Sequence, residues 1–248
     1  MLKLEGRTCY FAGATGNIGR GAVRELASQG MNVIMATHNP ASAEEIIAEC
    51  AHFPGKVIAL SDQKPLAEAL EEYEHAFGSI DVYISTTGTL SVTKPFEELS
   101  GEELDRKLHH HITSPFQSLQ VLLPFLKRSA HPRVILCSSA GALNGMKEEN
   151  ILDSIARGGV LSMTACLARE FLPYGITVNC IARSGMVNDH DNHSDTTLEA
   201  ADILPSLPVG RLGTPEEFGA LVSWLASEQS AFVTGQIFSL DGGLNIGR

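Results

Sequence analysis

A parallel β-sheet with helices on both faces is the fold this sequence predicts, and three observations carry the prediction. Short apolar runs alternate with longer helical patterns from end to end, the βαβα order of an α/β fold. Most of the runs are near-continuously apolar rather than alternating, as strands covered on both faces are. The chain has 248 residues, 44% hydrophobic and 19% charged, and a globular chain of this size buries roughly three quarters of its unfolded surface. Disordered, collagen-like and small disulfide-stapled architectures are thereby excluded.

Taken in order, the first strand is the run TCYFA at Thr8–Ala12, followed by a helix over Gly19–Gln29 that carries Val23 and Leu26. NVIMAT at Asn32–Thr37 precedes a helical stretch at Ala41–Ala51, and KVIAL at Lys56–Leu60 precedes one at Pro65–Phe77. VYIST at Val82–Thr86 is the fourth strand, and a long helix is expected over Gly101–Lys127. RVILCS at Arg133–Ser138 leads to the helix Ile151–Phe171, TVNCIA at Thr177–Ala182 to Pro215–Ser227, and IFSL at Ile237–Leu240 closes the series. No linker and no internal repeat divides residues 1–248, which read as one domain. The stretch 185–213, polar and then Pro-rich with NDHDNHSD inside it, breaks the rhythm; after a late strand such an excursion serves as a lid or substrate loop.

Eighteen Lys+Arg against 29 Asp+Glu leave a net charge of −11, which repels phosphate backbones and anionic lipid and disfavours nucleic-acid or membrane partners. The N-terminus MLKLEGRTCYFAG has no targeting pattern, and no apolar run approaches the ~20 residues that span a bilayer. The five cysteines are odd in number, and Cys9, Cys137 and Cys180 fall in strand-like runs. Buried thiols in a reducing compartment suit them better than disulfides, so a cytoplasmic protein is expected.

After the first strand, Gly13-Ala14-Thr15-Gly16-Asn17-Ile18-Gly19 opens directly into a helix. Strand, glycines, helix is the context a dinucleotide site requires. Gly13 permits the sharp turn, Gly16 lets backbone N–H groups approach a pyrophosphate, and Gly19 lets the helix pack close to the strand. The positive end of the helix then faces the phosphates; without a ligand the same residues make a tight βα turn. At the end of the second strand, Thr37-His38-Asn39 brings no carboxylate to hold a ribose 2′-hydroxyl. The reading therefore leans to NADP over NAD. Asp62, beyond the third strand, is an adenine-edge contact or a helix cap.

The glycine turn, DVYISTTG, LDRKLHHHITSPF, VILCSSAG, LAREFLPYGITVNCIA and GRLGTPEEFGALVSWLASEQSAFVTGQIFSLDGG together resemble the short-chain dehydrogenase/reductase family over nearly the full length. The resemblance implies a doubly wound Rossmann fold with a seven-stranded parallel sheet, a nicotinamide cofactor, a small-molecule substrate and a homotetramer or homodimer. It also implies site residues, and here the chain departs from its relatives. Ala12 replaces the Thr before the glycine turn, and Asn17 stands at the middle glycine. The family's NNAG is Ser85-Thr86-Thr87-Gly88, which leaves Thr87 and Gly88 as cofactor contacts, and the Asn of the central helix aligns with His111. The family serine is kept at Ser138, with Ser139 as its rival. The family's Tyr falls on Asp153 and its Lys on Arg157, and 139–173 contains no tyrosine that a shift of register could supply.

An ordinary carboxyl group titrates near pH 4, about three pH units too low to be half-protonated at neutrality, a gap worth roughly 4 kcal/mol. A cation four residues along the same helical face widens it. Asp153 is therefore a base or an anchor for Arg157, and arginine, always charged, relays no proton. Three functions remain. One is an oxidoreductase with another acid, His111 being the candidate because histidine titrates near 6.5, with Ser138 on the substrate oxygen and Arg157 on the nicotinamide ribose or the carbonyl. The second is a redox-neutral lyase or dehydratase on the same scaffold. The third is a dinucleotide-binding sensor or inactive subunit.

His109, His110 and His111 are consecutive, about 100° apart around a helix, and cannot share one metal. His190 and His193 lie among Asp189, Asp191 and Asp195 in the lid. These read as surface polar groups, and no metal is expected. Arg183, where relatives carry proline, reads as a salt-bridge partner for the acidic lid or a contact to a charged substrate. Met186, Val187, Leu198, Ile203 and Leu204 line a pocket or pack the lid; the substrate itself is not legible.

Overall fold

In the computed structural model, which describes residues 2–60, 65–88, 94–145, 151–187 and 203–246, the apolar runs pair side by side. The chain passes through β1 (Thr8–Ala12), α1 (Asn17–Ser28), β2 (Asn32–Ala36), α2 (Pro40–Cys50), β3 (Val57–Leu60), α3 (Leu66–Phe77) and β4 (Val82–Ser85). It continues through α4 (Gly101–Leu108), a π-helical turn at His109–Thr113, α5 (Ser114–Leu126), β5 (Arg133–Ser139), the short α6 (Gly141–Asn144) and α7 (Ile151–Phe171). Last come β6 (Thr177–Arg183), α8 (Pro215–Ala226) and β7 (Ile237–Leu240). The seven strands are all parallel in the order β3-β2-β1-β4-β5-β6-β7, the doubly wound arrangement the sequence predicts. The direction of winding reverses between β1 and β4, the switch point at which open α/β sheets form a crevice at the carboxyl ends of their strands.

Successive residues of a strand feed opposite layers. In β1, Cys9 and Phe11 pack with Ala22, Val23 and Leu26 of α1 and Phe218 and Val222 of α8. Tyr10 and Ala12 face the other layer, with Leu70 of α3, Leu122 of α5 and Val160 of α7. Helix α7 is long and apolar enough by composition to cross a membrane. It buries Leu152, Ala156, Val160, Leu167 and Phe171 in one stripe and packs on β5 and β6, the behaviour of a core helix.

At the amino end of the sheet Asp81 accepts from the Thr8 amide (2.9 Å), Ser79 Oγ (2.8 Å) and Ser129 Oγ (2.6 Å). Asp81→Ala orphans the buried Thr8 amide and is expected to cost about 1–3 kcal/mol of unfolding free energy, readable in a urea titration.

The long helix predicted over Gly101–Lys127 is not continuous. A Ser100–Glu103 capping box starts α4, but the ladder widens into the π turn before Pro115. Proline has no N–H to donate and its ring clashes with the carbonyl four residues back, here that of His111, and one extra residue in the turn relieves the clash. Helix α1 begins at Asn17, two residues before the predicted start, so Asn17 and Ile18 belong to its first turn. The two stems of the 185–213 excursion are tied together: the Val187 amide donates to Gly213 O (2.8 Å) and the Gly213 amide to Gly185 O (3.1 Å). His190, His193, Leu198, Asp189, Asp191 and Asp195 lie outside the described residues, as does Asp62.

Candidate functional site

Three strand ends converge on the crevice: Gly13 after β1, Thr86 after β4 and Ser138 near the end of β5. Gly13 has φ +84°, and a Cβ there would lie 2.8 Å from Thr86 Oγ1 and 2.9 Å from the Thr87 nitrogen. A Cβ on Gly19 would meet Gly13 O at 2.4 Å. These two glycines are required by the chain's own packing. Gly16 is different: its φ is an ordinary −72°, it is exposed, and a Cβ would meet only Gly13 O, at 3.4 Å. It caps α1 without a side chain, and no acidic residue occupies the first turn. No side chain of the turn caps the amide end of α1, and its partial positive charge behind the exposed Gly16 backbone suits a diphosphate.

The residues around the turn hold one another. Thr15 Oγ1 lies 3.2 Å from Thr37 Oγ1, which accepts from the Asn39 amide (2.9 Å). Asn39 in turn caps α2, accepting from the Ser42 amide at 3.3 Å. Thr37 and Asn39 therefore shape the end of β2, while His38 is exposed beside them. Asn17 Nδ2 donates to Val187 O at 2.6 Å, tying the start of α1 to the stem of the 185–213 excursion; Ile18 is buried under the turn. Thr86, which sequence reasoning passed over, donates its hydroxyl to Gly13 O (3.0 Å) and its amide to Ala12 O (2.9 Å). Thr87 donates to His110 O (3.1 Å). Gly88 leaves room for His111, whose Cε1 would be 2.7 Å from any Cβ there.

Across the crevice stand the residues aligned with the family's reaction centre. Ser138, with no exposed surface, donates to the carbonyl of Arg157 at 2.9 Å. Asp153 is 1% exposed, and its carboxylate oxygens accept from Lys107 Nζ at 3.0 and 3.1 Å. Arg157 comes no nearer to the same carboxylate than 3.5 Å, at Nε. Ser139 accepts from the Gly141 amide (3.2 Å), and Arg183 donates to Ser184 O (3.1 Å).

His111 is 1% exposed, and among the described residues neither ring nitrogen has a hydrogen-bond partner. Burial first, then the Arg157 guanidinium, push its imidazole down to about 3, with Asp153 opposing. That corrects one expectation: at neutral pH the ring is uncharged, so the imidazolium acid offered by histidine's ordinary pKa is not there.

Lys107 is the residue the sequence reading missed, although a signal existed. Lys107 and His111 are spaced i,i+4, as are Asp153 and Arg157, so each pair shares a helical face, and the two faces meet between α4, the π turn and α7. Among the described residues no group of three or more His, Cys, Asp or Glu side chains converges as a metal site would.

A family model described as enoyl-(acyl carrier protein) reductase matches residues 13–245. The chain is 26% identical over 249 residues to a 3-oxoacyl-(acyl-carrier-protein) reductase of Thermotoga maritima, covering 99% of this chain and all of that one. It is 29% identical over 260 residues to a tropinone reductase homologue of Arabidopsis thaliana, covering 98% and 94% of the two. Among solved structures, a dehydrogenase/reductase from Sinorhizobium meliloti 1021 superposes with a TM-score of 0.87 at 25% identity, over 98% of this chain and 97% of that one. An NAD+-bound xylitol dehydrogenase shares the fold with a TM-score of 0.87 at 21% identity, over 97% of this chain and the whole of the other.

Proposed function

The chain belongs to the short-chain dehydrogenase/reductase family, and from that premise we propose that it is an NAD(P)-dependent oxidoreductase acting on a carbonyl or alcohol group of a small molecule. The observation that carries this reading is the Gly16 cradle, bare where the chain itself needs no glycine, under the uncapped start of α1. Bound there, a nicotinamide dinucleotide would give or take the hydride. The protein's share is to hold and to polarise. The first-turn amides of α1 receive the diphosphate, Thr87 and Gly88 border the crevice, and Arg157 offers a permanent positive charge to a ligand oxygen. The neutral N–H of His111 is an uncharged donor nearby, while the Ser138 hydroxyl gives its proton to Arg157 O and holds that backbone in place.

A second reading, dinucleotide binding without turnover, is favoured by one observation. The Ser138 hydroxyl and the Asp153 carboxylate are both engaged by the chain's own groups, Arg157 O and Lys107. Fluorescence titration with NADPH and NADH, followed by a carbonyl panel monitored by nicotinamide absorbance, separates the two. Binding with turnover supports the oxidoreductase, binding without turnover supports the second reading, and binding of neither dinucleotide removes both. NADPH is expected to bind more tightly than NADH, since no carboxylate at the end of β2 repels a 2′-phosphate.

The 185–213 excursion is proposed as the substrate lid. A homotetramer or homodimer is proposed on exposed apolar residues such as Phe116, Ile155, Phe232 and Ile237. The five free thiols suit a cytoplasmic setting.

A further inference from the structure

We propose that Lys107 is a positioning residue: by occupying both oxygens of Asp153 it keeps that carboxylate from capturing Arg157, whose terminal nitrogens then face a ligand in the crevice. Lys107 is the one buried residue of α4, an amphipathic helix that otherwise presents polar groups outward, and its ammonium lies at a side-chain exposure of 2% against a carboxylate at 1%. Arginine and carboxylate, left to themselves, dock fork to fork through two short hydrogen bonds. This protein does so elsewhere. Arg211 meets Glu217 at 2.9 and 2.7 Å, and Arg128 reaches Glu74 at 2.9 and 2.7 Å through one terminal nitrogen. Arg157 and Asp153, four residues apart on one helix, have every opportunity to do the same, yet their shortest approach is 3.5 Å, at Nε. The difference between the pairs is Lys107. Among the described residues, the terminal nitrogens of Arg157 make no hydrogen bond.

Stability does not account for the arrangement. Burying ionic groups costs several kcal/mol each, and well-packed apolar replacements are often neutral or stabilising. Orientation does account for it. The Ser138 hydroxyl holds the Arg157 carbonyl, which fixes the backbone turn; Lys107 contacts both oxygens of the competing acceptor; and the terminal nitrogens of the guanidinium are left for a ligand. The charged and titratable groups facing Asp153 are Lys107 from α4, Arg157 from α7 and His111 from the π turn. A planar fork of N–H donors matches a pair of neighbouring oxygens. Resting on the oxidoreductase reading, that pair would be the vicinal hydroxyls of the nicotinamide ribose, as the resemblance implies for the lysine Arg157 replaces, and Lys107 is what keeps Arg157 free to meet them.

The test uses the full chain with Lys107→Met, Lys107→Arg and the double variant Lys107→Met/Asp153→Asn. Two readouts are taken: the Arg157 Nε–Hε resonance in nitrogen-15 NMR, and binding of NADPH beside its adenosine half, adenosine 2′,5′-bisphosphate. In Lys107→Met the resonance is expected to move as the guanidinium docks on Asp153. NADPH should weaken by about tenfold while the adenosine half binds as before. Lys107→Arg, which keeps a cation at the carboxylate, and the double variant, which removes the competing acceptor, should both return towards the parent. An unmoved resonance in Lys107→Met, or equal weakening of both ligands, overturns the proposal. Should Lys107→Met fail to fold, Lys107→Gln is expected to move the resonance in the same direction, and an unmoved one counts equally against it. If the parent binds no dinucleotide, the oxidoreductase reading fails and the resonance alone decides the role of Lys107.

Discussion

Gly16→Ala is expected to stabilise the fold by about 0.4–1 kcal/mol and to weaken NADPH binding by about a hundredfold or more, a loss of about 2.7 kcal/mol. The two effects have separate causes. Gly16 sits at φ −72° and ψ 165°, a conformation alanine adopts without strain, so the substitution acts on the unfolded chain by removing freedom that folding must otherwise freeze. A methyl group there meets only Gly13 O at 3.4 Å inside the protein, but it projects into the space over the α1 amides that a diphosphate needs. Gly19→Ala is the contrasting control. Its methyl group would sit 2.4 Å from Gly13 O and 2.6 Å from Ala14 O, backbone atoms that cannot turn aside, so the β1–α1 junction must open. Stability is then expected to fall by about 1–3 kcal/mol or more, with binding lost as a consequence. Thermal unfolding and NADPH fluorescence on both variants check the pair. Parent-like affinity in Gly16→Ala would mean that no phosphate group lies over the turn.

The contrast between those glycines tracks how far the sequence could be read. The strands were legible because a near-continuous apolar run is a local signal, and TCYFA or NVIMA needs no distant partner to declare itself. The glycine turn was legible for the same reason, its geometry lying within seven residues. The alignment with the family's Tyr and Lys positions gives Asp153 and Arg157 but not their chemistry, because Asp153's partner Lys107 is 46 positions away on another helix. The break in the predicted 101–127 helix had its cause in plain view at Pro115. Apolar periodicity continues through Leu108, Ile112 and Leu119 as though nothing intervened, and a π turn keeps that face while adding a residue. Thr86 was missed because its role, a hydrogen bond to Gly13 O, belongs to the pairing of β1 with β4.

His111 is the residue whose ordinary behaviour the fold changes most, and it gives the larger stability prediction. Its imidazole titrates near 6.5 in an unfolded chain and is pushed down to about 3 in the folded one by burial and by Arg157. Between those values the unfolded state binds a proton that the native state refuses, so acid favours unfolding. The contribution is absent above about pH 6.5 and grows by about 1.4 kcal/mol for each pH unit below it, levelling off near pH 3. At pH 5 it amounts to about 2 kcal/mol. His111→Leu, an apolar side chain of similar size, removes the titration and also the two ring nitrogens that lack partners. It should match or exceed the parent at neutral pH, since an unpartnered buried polar group costs about 1–3 kcal/mol. The other titrating groups are common to both proteins and cancel in the difference. Urea unfolding of parent and variant at a series of pH values should therefore give curves that run parallel above pH 7 and diverge steadily below 6.5, the parent losing more. Curves that stay parallel down to pH 4 would mean that His111 takes up its proton inside the native fold. The imidazolium would then be available to the reaction centre after all, and the proton donor that this site otherwise lacks would have been found.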